Sequence, residues 1–236
     1  MNDAYGKGLL AYWNGKKDAF FTVESDIAET EEWQVGLFFR MYEDMPELEK
    51  TALRNVEGSI LDAGAGAGSH ALYLQDKGAD VTAIDISAGA VEVMRNRGLK
   101  KVIQADFFRF NGGKFDTLLL LMNGIGIAGN INKLPLFFAR AKELLNPGGK
   151  ILLDSSDILY LFEDEEDGSV MIDLNDRYYG ELEYTFAFGN EKDDPFEWLF
   201  IDFDTLSAYA DKCGFTCRKI YEDEHYQYLA ELKLKD

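Results

Sequence analysis

The residues of this chain with the clearest chemical potential start at Asp62, a carboxylate followed by Gly64, Gly66 and Gly68. A short apolar run before Asp62 predicts a buried strand, and the apolar spacing from Ser69 onward predicts a helix. Glycine lets the backbone adopt positive φ and approach a ligand closely, and the first turn of a helix offers unpaired N–H groups. The order of strand, glycine loop and helix therefore predicts a nucleotide-binding turn.

The spacing of these glycines distinguishes two kinds of nucleotide-binding turn. The dinucleotide fingerprint Gly-x-Gly-x-x-Gly requires glycine or alanine at the place that Ser69 occupies here. From Asp62 to Gly68 the pattern is instead Asp-x-Gly-x-Gly-x-Gly, which resembles motif I of the class I S-adenosylmethionine-dependent methyltransferases. The resemblance implies that S-adenosyl-L-methionine is the cofactor.

A second carboxylate, Asp85, ends the next predicted strand about twenty residues beyond the loop, where such folds place the acid that binds a ribose. Two adjacent ribose hydroxyls can donate to the two oxygens of one carboxylate. Capping of the next helix does not require Asp85, because Ser87 is placed to do this. We therefore expect the Asp85 carboxylate to be free for a ribose.

Two further segments resemble motifs of the same family. Asp106-Phe107 follows the third predicted strand, and the resemblance implies that Asp106 accepts a hydrogen bond from the adenine amino group while Phe107 contacts the ring. The apolar run over residues 115–122 predicts a central parallel strand that is covered on both faces. It opens into a glycine-rich corner, where the resemblance implies that Met122 and Asn123 flank the sulfonium.

The expected cofactor-binding residues all lie at or just beyond the end of a predicted strand, and they are Asp62, Ala63, Gly64, Ala65, Gly66, Gly68, Asp85, Ile86, Ser87, Asp106, Phe107, Met122 and Asn123. The resemblance implies that the loop glycines face the methionine end of the cofactor. Asp62 would orient the loop and reach the cofactor's ammonium group directly or through water. The methyl carbon already carries a good leaving group, so the protein mainly has to align an acceptor with it in a dry pocket.

The order of elements predicts an α/β fold, with a Rossmann-like, doubly wound, seven-stranded sheet that closes with a C-terminal antiparallel hairpin. We assign residues 58–236 to this domain and residues 1–57 to an N-terminal helical cap, with helices expected at 33–45 and 47–55. Residues 158–203 are expected to form an insertion, made of an acidic loop and a β-hairpin with one aromatic face. Whether the cap or the insertion closes over the site stays open.

The composition of the chain limits which classes of protein it can belong to. With 236 residues, 47% of them hydrophobic, the chain can bury a core of its own, and its net charge of −19 disfavours nucleic acid as a partner. The sequence shows no signal-peptide pattern and no apolar run long enough for a membrane span, which predicts a cytoplasmic protein without a membrane partner.

Cys213 and Cys217 are expected to be small buried hydrophobes. Asp154 and Asp157 predict loop and helix-cap roles rather than a metal site.

These features together predict a methyltransferase that acts on an unidentified acceptor, most simply a small molecule. The corner at Asn123 lacks the Pro-Pro-aromatic signature of families that methylate exocyclic amines, and no cysteine is placed to attack a pyrimidine. The two histidines, His70 and His225, are weak candidates for a general base. His70 is expected to be neutral, because the first turn of a helix disfavours a positive charge. The catalytic residues and the oligomeric state stay unassigned.

Three alternatives remain at this point. An oxidoreductase that binds NAD would share Asp85 and the fold class, but Ser69 and the closing hairpin disfavour it. A non-catalytic protein that binds S-adenosylmethionine without transferring its methyl group would carry the same motifs. An α/β domain without a nucleotide ligand could also contain a glycine-rich turn.

Overall fold

A computed structural model describes residues 2–27, 29–162 and 177–235. In chain order its helices are α1 (Ala4–Trp13), α2 (Glu47–Arg54), α3 (Ser69–Asp76), α4 (Ala88–Asn96), α5 (Leu134–Leu144) and α6 (Phe203–Lys212). Its strands are β1 (Phe20–Ser25), β2 (Glu31–Gln34), β3 (Ser59–Ala63), β4 (Asp80–Asp85), β5 (Val102–Gln104), β6 (Phe115–Leu120), β7 (Leu145–Ser156), β8 (Glu181–Phe188), β9 (Glu191–Lys192), β10 (Phe196–Leu199), β11 (Phe215–Glu222) and β12 (Gln227–Leu234).

The main sheet has seven strands in the order β11-β12-β7-β6-β3-β4-β5. Strands β3 to β7 pair in parallel, whereas β12 is antiparallel to both β7 and β11. The Rossmann-like fold with a C-terminal antiparallel hairpin is thereby confirmed. The strand order changes direction between β3 and β6, and in open α/β sheets a ligand binds at such a point, beyond the carboxyl ends of the strands.

Strand β6 shows why this sheet forms the centre of the molecule. Leu118, Leu119 and Leu120 are fully buried in succession, which requires cover on both faces. Leu118 and Leu120 pack in the core that contains α5 and α6, whereas Leu119 packs in the core that contains α2, α3 and α4. Helices therefore cover both faces of the main sheet and leave its carboxyl edge for the site.

A second sheet joins the N-terminal segment to the insertion. It has five strands, with the order β10-β8-β1-β2 and β9 paired to β8. The hairpin predicted in the insertion is present as β8 and β10, but β8 also pairs with β1 from the N-terminal segment. Residues near the start of the chain and residues of the insertion thus form one structure beside the main sheet.

The N-terminal segment differs from the expected helical cap. The helix predicted over 33–45 is wrong, because 31–34 is strand β2 and the residues that follow form short 3-10 turns. Trp33 lies opposite Phe21 in the β1–β2 register, so a partner strand determines its conformation. The helix predicted at 47–55 is confirmed as α2. The run Glu163 to Asp167, expected as an acidic loop, lies outside the described residues.

None of the helices within the described ranges combines the length and the apolar character needed to cross a membrane.

Candidate cofactor site

The glycine loop connects β3 to α3 and lies against the end of β4. The N–H groups of Gly64 and Ala65 both donate to the Ile84 carbonyl, at 2.9 and 3.0 Å. Gly64 has a φ of 76°, and a Cβ there would meet nothing within 4 Å, so this glycine is required by its backbone conformation and borders open space. The loop therefore presents bare backbone at the carboxyl edge of the sheet.

Asp85 at the end of β4 holds this loop in place. Its carboxylate accepts from the Gly66 N–H and from the Ser87 N–H, both at 2.8 Å. Ser87 caps α4 through the Ala90 N–H, as expected. Asp85, expected to be free for a ribose, also ties the loop to the start of α4. Each carboxylate oxygen still has a second lone pair for a ligand hydroxyl.

Asp62 at the end of β3 is buried and incompletely paired. It is 2% exposed, and its Oδ2 has no hydrogen-bond partner among the described residues. Burial raises the pKa of Asp62 to about 6, with the charge of Asp85 acting in the same direction and that of His70 opposing it. A buried carboxylate oxygen without a donor is costly, and a donating or cationic ligand would relieve that cost.

The third predicted motif is only partly available to a ligand. Asp106 is partly exposed, and its Oδ1 accepts from the Phe108 N–H at 2.8 Å within its own turn. The Phe107 ring is 1% exposed and stacks on Phe137 in the core, so it does not face a ligand, contrary to expectation. The apolar side chain that is open at this edge is Ile86, with 58% exposure.

The corner after β6 is strained and held by the neighbouring strand. Met122 and Asn123 have φ values of 66° and 58°, a conformation that residues other than glycine adopt at a cost. The Asp154 carboxylate accepts from the Gly124 N–H at 2.9 Å, and the Ser155 hydroxyl donates to the Asn123 side chain at 2.9 Å. The corner is therefore fixed by residues of β7.

Asp154 is a residue of this site that sequence reasoning missed. It belongs to β7 rather than to the expected loop, and it is 8% exposed. Burial raises the pKa of Asp154 to about 6, although the N–H groups of Gly124 and Asn123 favour its ionised form. Its position as an acid at the carboxyl end of an apolar strand was the available signal. Asp157 does have the expected capping role, because it accepts from the Leu159 N–H.

His70 is paired with an acid from α2. Its Nε2 lies 2.7 Å from a carboxylate oxygen of Glu49, and both side chains are buried. Burial disfavours the imidazolium, but the hydrogen bond to Glu49 and the charge of Asp62 outweigh it, so the pKa of His70 is raised. The contact with Glu49 therefore opposes the neutral form that the position of His70 in the first turn of α3 predicts. His225 is 79% exposed in the closing turn, as expected.

Aromatic side chains cover the edge of the sheet from two directions. A Cβ at Gly66 would lie 2.7 Å from the Tyr5 hydroxyl, and a Cβ at Gly126, just beyond the β6 corner, would lie 2.1 Å from the Trp198 ring. Tyr5 also contacts Phe186 of the second sheet, with ring centroids 5.6 Å apart. Helix α1 and the second sheet thus extend from the glycine loop to the corner.

Known proteins resemble this chain in sequence and in fold. The residues from 60 to 149 match the family model described as a methyltransferase domain. The chain is 46% identical to the S-adenosylmethionine-dependent methyltransferase from Bacteroides fragilis, whose crystal structure contains S-adenosyl-L-homocysteine. That similarity covers 100% of this chain and 96% of the other, with a TM-score of 0.93.

The chain belongs to the S-adenosylmethionine-dependent methyltransferases. This methyltransferase is also 31% identical to demethylmenaquinone methyltransferase from Tropheryma whipplei over a region that covers 40% of each chain. It therefore matches well under half the length of these curated relatives. The CcbJ methyltransferase from Streptomyces caelestis shares the fold, with a TM-score of 0.62 at 14% identity over 83% of this chain and 95% of the other.

Proposed function

We propose that this methyltransferase binds S-adenosylmethionine at the carboxyl edge of β3, β4 and β6 and transfers the methyl group to a small molecule. The cofactor supplies a methyl group on a sulfonium, a good leaving group. Two features of the edge fit such a ligand. Asp62 has a buried oxygen to which none of the described residues donates, and Gly64 borders open space. The unpaired Asp62 oxygen is the observation on which the proposal mainly depends.

Each side of the site has a separate role in this proposal. Asp62 accepts from the ammonium of the methionine end, and the bare loop backbone at Gly64 allows close approach. Asp85, already oriented by two backbone N–H groups, accepts from the ribose hydroxyls. Ile86 offers an apolar surface to the adenine, and Asp106 accepts from its amino group.

The acceptor is proposed to bind between the β6 corner and the second sheet. Met122 and Asn123 form the side nearest the methyl group, held rigidly by β7. Phe186 and Trp198 lie on the covering face, and the rings stay partly exposed. Such a surface favours an acceptor with an apolar or planar part, and it excludes water from the reacting atoms.

Calorimetry with S-adenosylhomocysteine and with NADH tests the cofactor assignment. We expect S-adenosylhomocysteine to bind and NADH not to bind. Incubation with methyl-labelled cofactor and a protein-free extract of small metabolites then tests the acceptor class. Label in a small-molecule product supports the proposal. Failure to bind S-adenosylhomocysteine would overturn the cofactor site, and label that transfers only to added protein or RNA would overturn the acceptor class.

A further inference from the structure

A chain of alternating charges leads into the cofactor site from the N-terminal segment. Arg40 pairs with Glu49 of α2 through its guanidinium, and Glu49 pairs with His70 of α3 at 2.7 Å. His70 in turn interacts with the charge of Asp62 at the end of β3. Glu49, His70 and Asp62 are each at least 90% buried, so water screens these charges weakly.

The surroundings of His70 favour its charged form. Carboxylates face it from three elements: Glu49 from α2, Asp62 from β3 and Asp154 from β7. Asp85 of β4 also faces Asp62, and the negative charge of Asp85 opposes the ionisation of Asp62. A positive His70, together with the Ala71 N–H, therefore compensates burial and the neighbouring acid at Asp62.

The chain of charges ends at an atom that has no hydrogen-bond partner within the described part of the chain. Counted from Arg40, the signs run positive, negative, positive and negative, and the last member is Asp62 with its unpaired Oδ2. A cationic ligand bound at Asp62 would continue this alternation of charges. The ammonium group at the methionine end of the cofactor is such a cation.

We propose that His70, held as an imidazolium by Glu49 and Arg40, is a positioning residue that keeps Asp62 ionised to receive the ammonium of the cofactor. This proposal rests on the proposed function, because it takes the ammonium to lie at Asp62. It also makes cofactor affinity depend on Arg40 and Glu49, which lie outside the residues 60–149 shared with the family model.

The test is calorimetry with S-adenosylhomocysteine between about pH 6 and pH 8.5 on the wild type, His70→Asn and Glu49→Gln. Without the imidazolium, Asp62 becomes harder to ionise. We therefore expect binding to weaken about three- to tenfold at pH 7 in both variants. Near pH 8.5 Asp62 is ionised in every protein, and affinity should return to the wild-type value or exceed it. The excess would reflect the loss of a positive charge near the ligand ammonium.

Glu231→Gln is the matched control. Glu231 is a buried carboxylate of similar exposure that pairs with Lys150 and Arg218 on the same main sheet. This variant should keep the wild-type pH profile of binding even where its melting temperature falls. Equal weakening of His70→Asn at every pH would mean a purely structural role and would overturn the proposal. Unchanged binding at pH 7 would overturn it as well, whereas a wild type that does not bind at all overturns the proposed function instead.

Nitrogen NMR of the wild type tests the same proposal without a variant at the site. The chain has two histidines, and a His225→Gln variant assigns their signals. We expect the His70 ring of the free protein to carry protons on both nitrogens at pH 7. A neutral ring at that pH would overturn the proposal, whether or not the variants fold.

Discussion

At the scale of single residues, Asp85 combines an observed contact with a proposed one. It accepts from the Gly66 and Ser87 N–H groups, and we propose that it also accepts from a ligand ribose. The motif spacing predicted its position at the strand end, because the carboxyl ends of parallel strands meet at one edge. Its backbone partners could not be predicted, since they depend on how the loop folds back over β4.

Replacement of Asp85 by alanine should therefore weaken S-adenosylhomocysteine binding strongly. Hydrogen bonds to a charged group contribute about 1.5 to 3 kcal/mol each, so we expect a loss of about 10- to 100-fold in affinity by calorimetry. Asp80→Ala is the control, because Asp80 starts the same strand on the surface and pairs with the exposed Lys101. Comparable affinities for Asp85→Ala and Asp80→Ala would remove Asp85 from the site.

The raised pKa of Asp62 predicts that S-adenosylhomocysteine binding releases a proton. Its pKa is raised to about 6 by burial, and the ligand ammonium should favour the carboxylate. At pH 6 about half of the free protein carries a proton there, so binding of S-adenosylhomocysteine should release up to about half a proton. Calorimetry in two buffers with different ionisation enthalpies measures this release. Asp62→Asn should bind more weakly and release none, and a wild type without buffer dependence would contradict the prediction.

At the scale of elements, α1 is attached through two acids, its own N-cap residue Asp3 and Asp193 of the insertion. Asp3 caps its first turn and also accepts from the Ser87 hydroxyl and the Gly89 N–H of the α4 region, at 2.8 and 2.9 Å. Asp193, in the turn before β10, accepts from the Ala4 N–H at 2.7 Å. The insertion thus helps to position the helix that places Tyr5 on the glycine loop.

Asp193→Ala should loosen α1 without disturbing the main sheet. Loss of a capping carboxylate costs about 1 kcal/mol, which corresponds to a fall of about 2–4 °C in melting temperature for a chain of this size. Limited proteolysis should cut the N-terminal segment sooner. Asp194→Ala, at the exposed neighbouring position of the same turn, should leave both readouts unchanged. Equal behaviour of the two variants would show that this contact does not hold α1.

The sequence predicted strand β6 correctly and the segment 33–45 wrongly, for physical reasons that differ. The continuous apolar run of β6 predicted a central strand, because its burial on both faces leaves no other explanation. The segment 33–45 was mispredicted as a helix. Its apolar residues would lie on all sides of a helix instead of along one face. Its true conformation depends on pairing of Trp33 with Phe21, and β1 in turn depends on β8, more than 150 residues away. A local pattern carries no information about such a distant partner.

At the scale of the whole molecule, the charge distribution opposes the folded state at high pH. The net charge is −19 at pH 7, so the compact chain repels itself. Buried acids add to this effect: the pKa values of Asp62 and Asp154 are raised to about 6 by burial. Other acids act in the opposite sense, since hydrogen bonds and cations lower the pKa values of Asp202 and Glu231 despite their burial.

These shifts act in different pH ranges. The raised acids contribute stability that is fully present below the unfolded pKa near 4 and is lost as the pH rises through 6, on the order of 2 to 3 kcal/mol for each. The raised pKa of His70 acts in the same direction at slightly higher pH. The lowered acids contribute stability that is present above the unfolded pKa and is lost only as the pH falls through their folded values, in strongly acidic solution.

The melting temperature of the free protein should therefore fall from about pH 4.5 upward, with Asp62 and Asp154 contributing up to about pH 6.5 and His70 above it. Scanning calorimetry at low and at about 0.5 M salt separates the two causes, because salt screens the surface repulsion but reaches buried groups weakly. At about 0.5 M salt, the melting temperature should fall less steeply with pH in Asp62→Asn and in Asp154→Asn than in the wild type. Asp80→Asn, at an exposed position, should keep the wild-type dependence on pH. A melting temperature that rises towards pH 8 in high salt would mean that Asp62 and Asp154 are ionised in the folded protein at little cost. In that case the unpaired oxygen of Asp62 could not account for the binding of a cationic ligand.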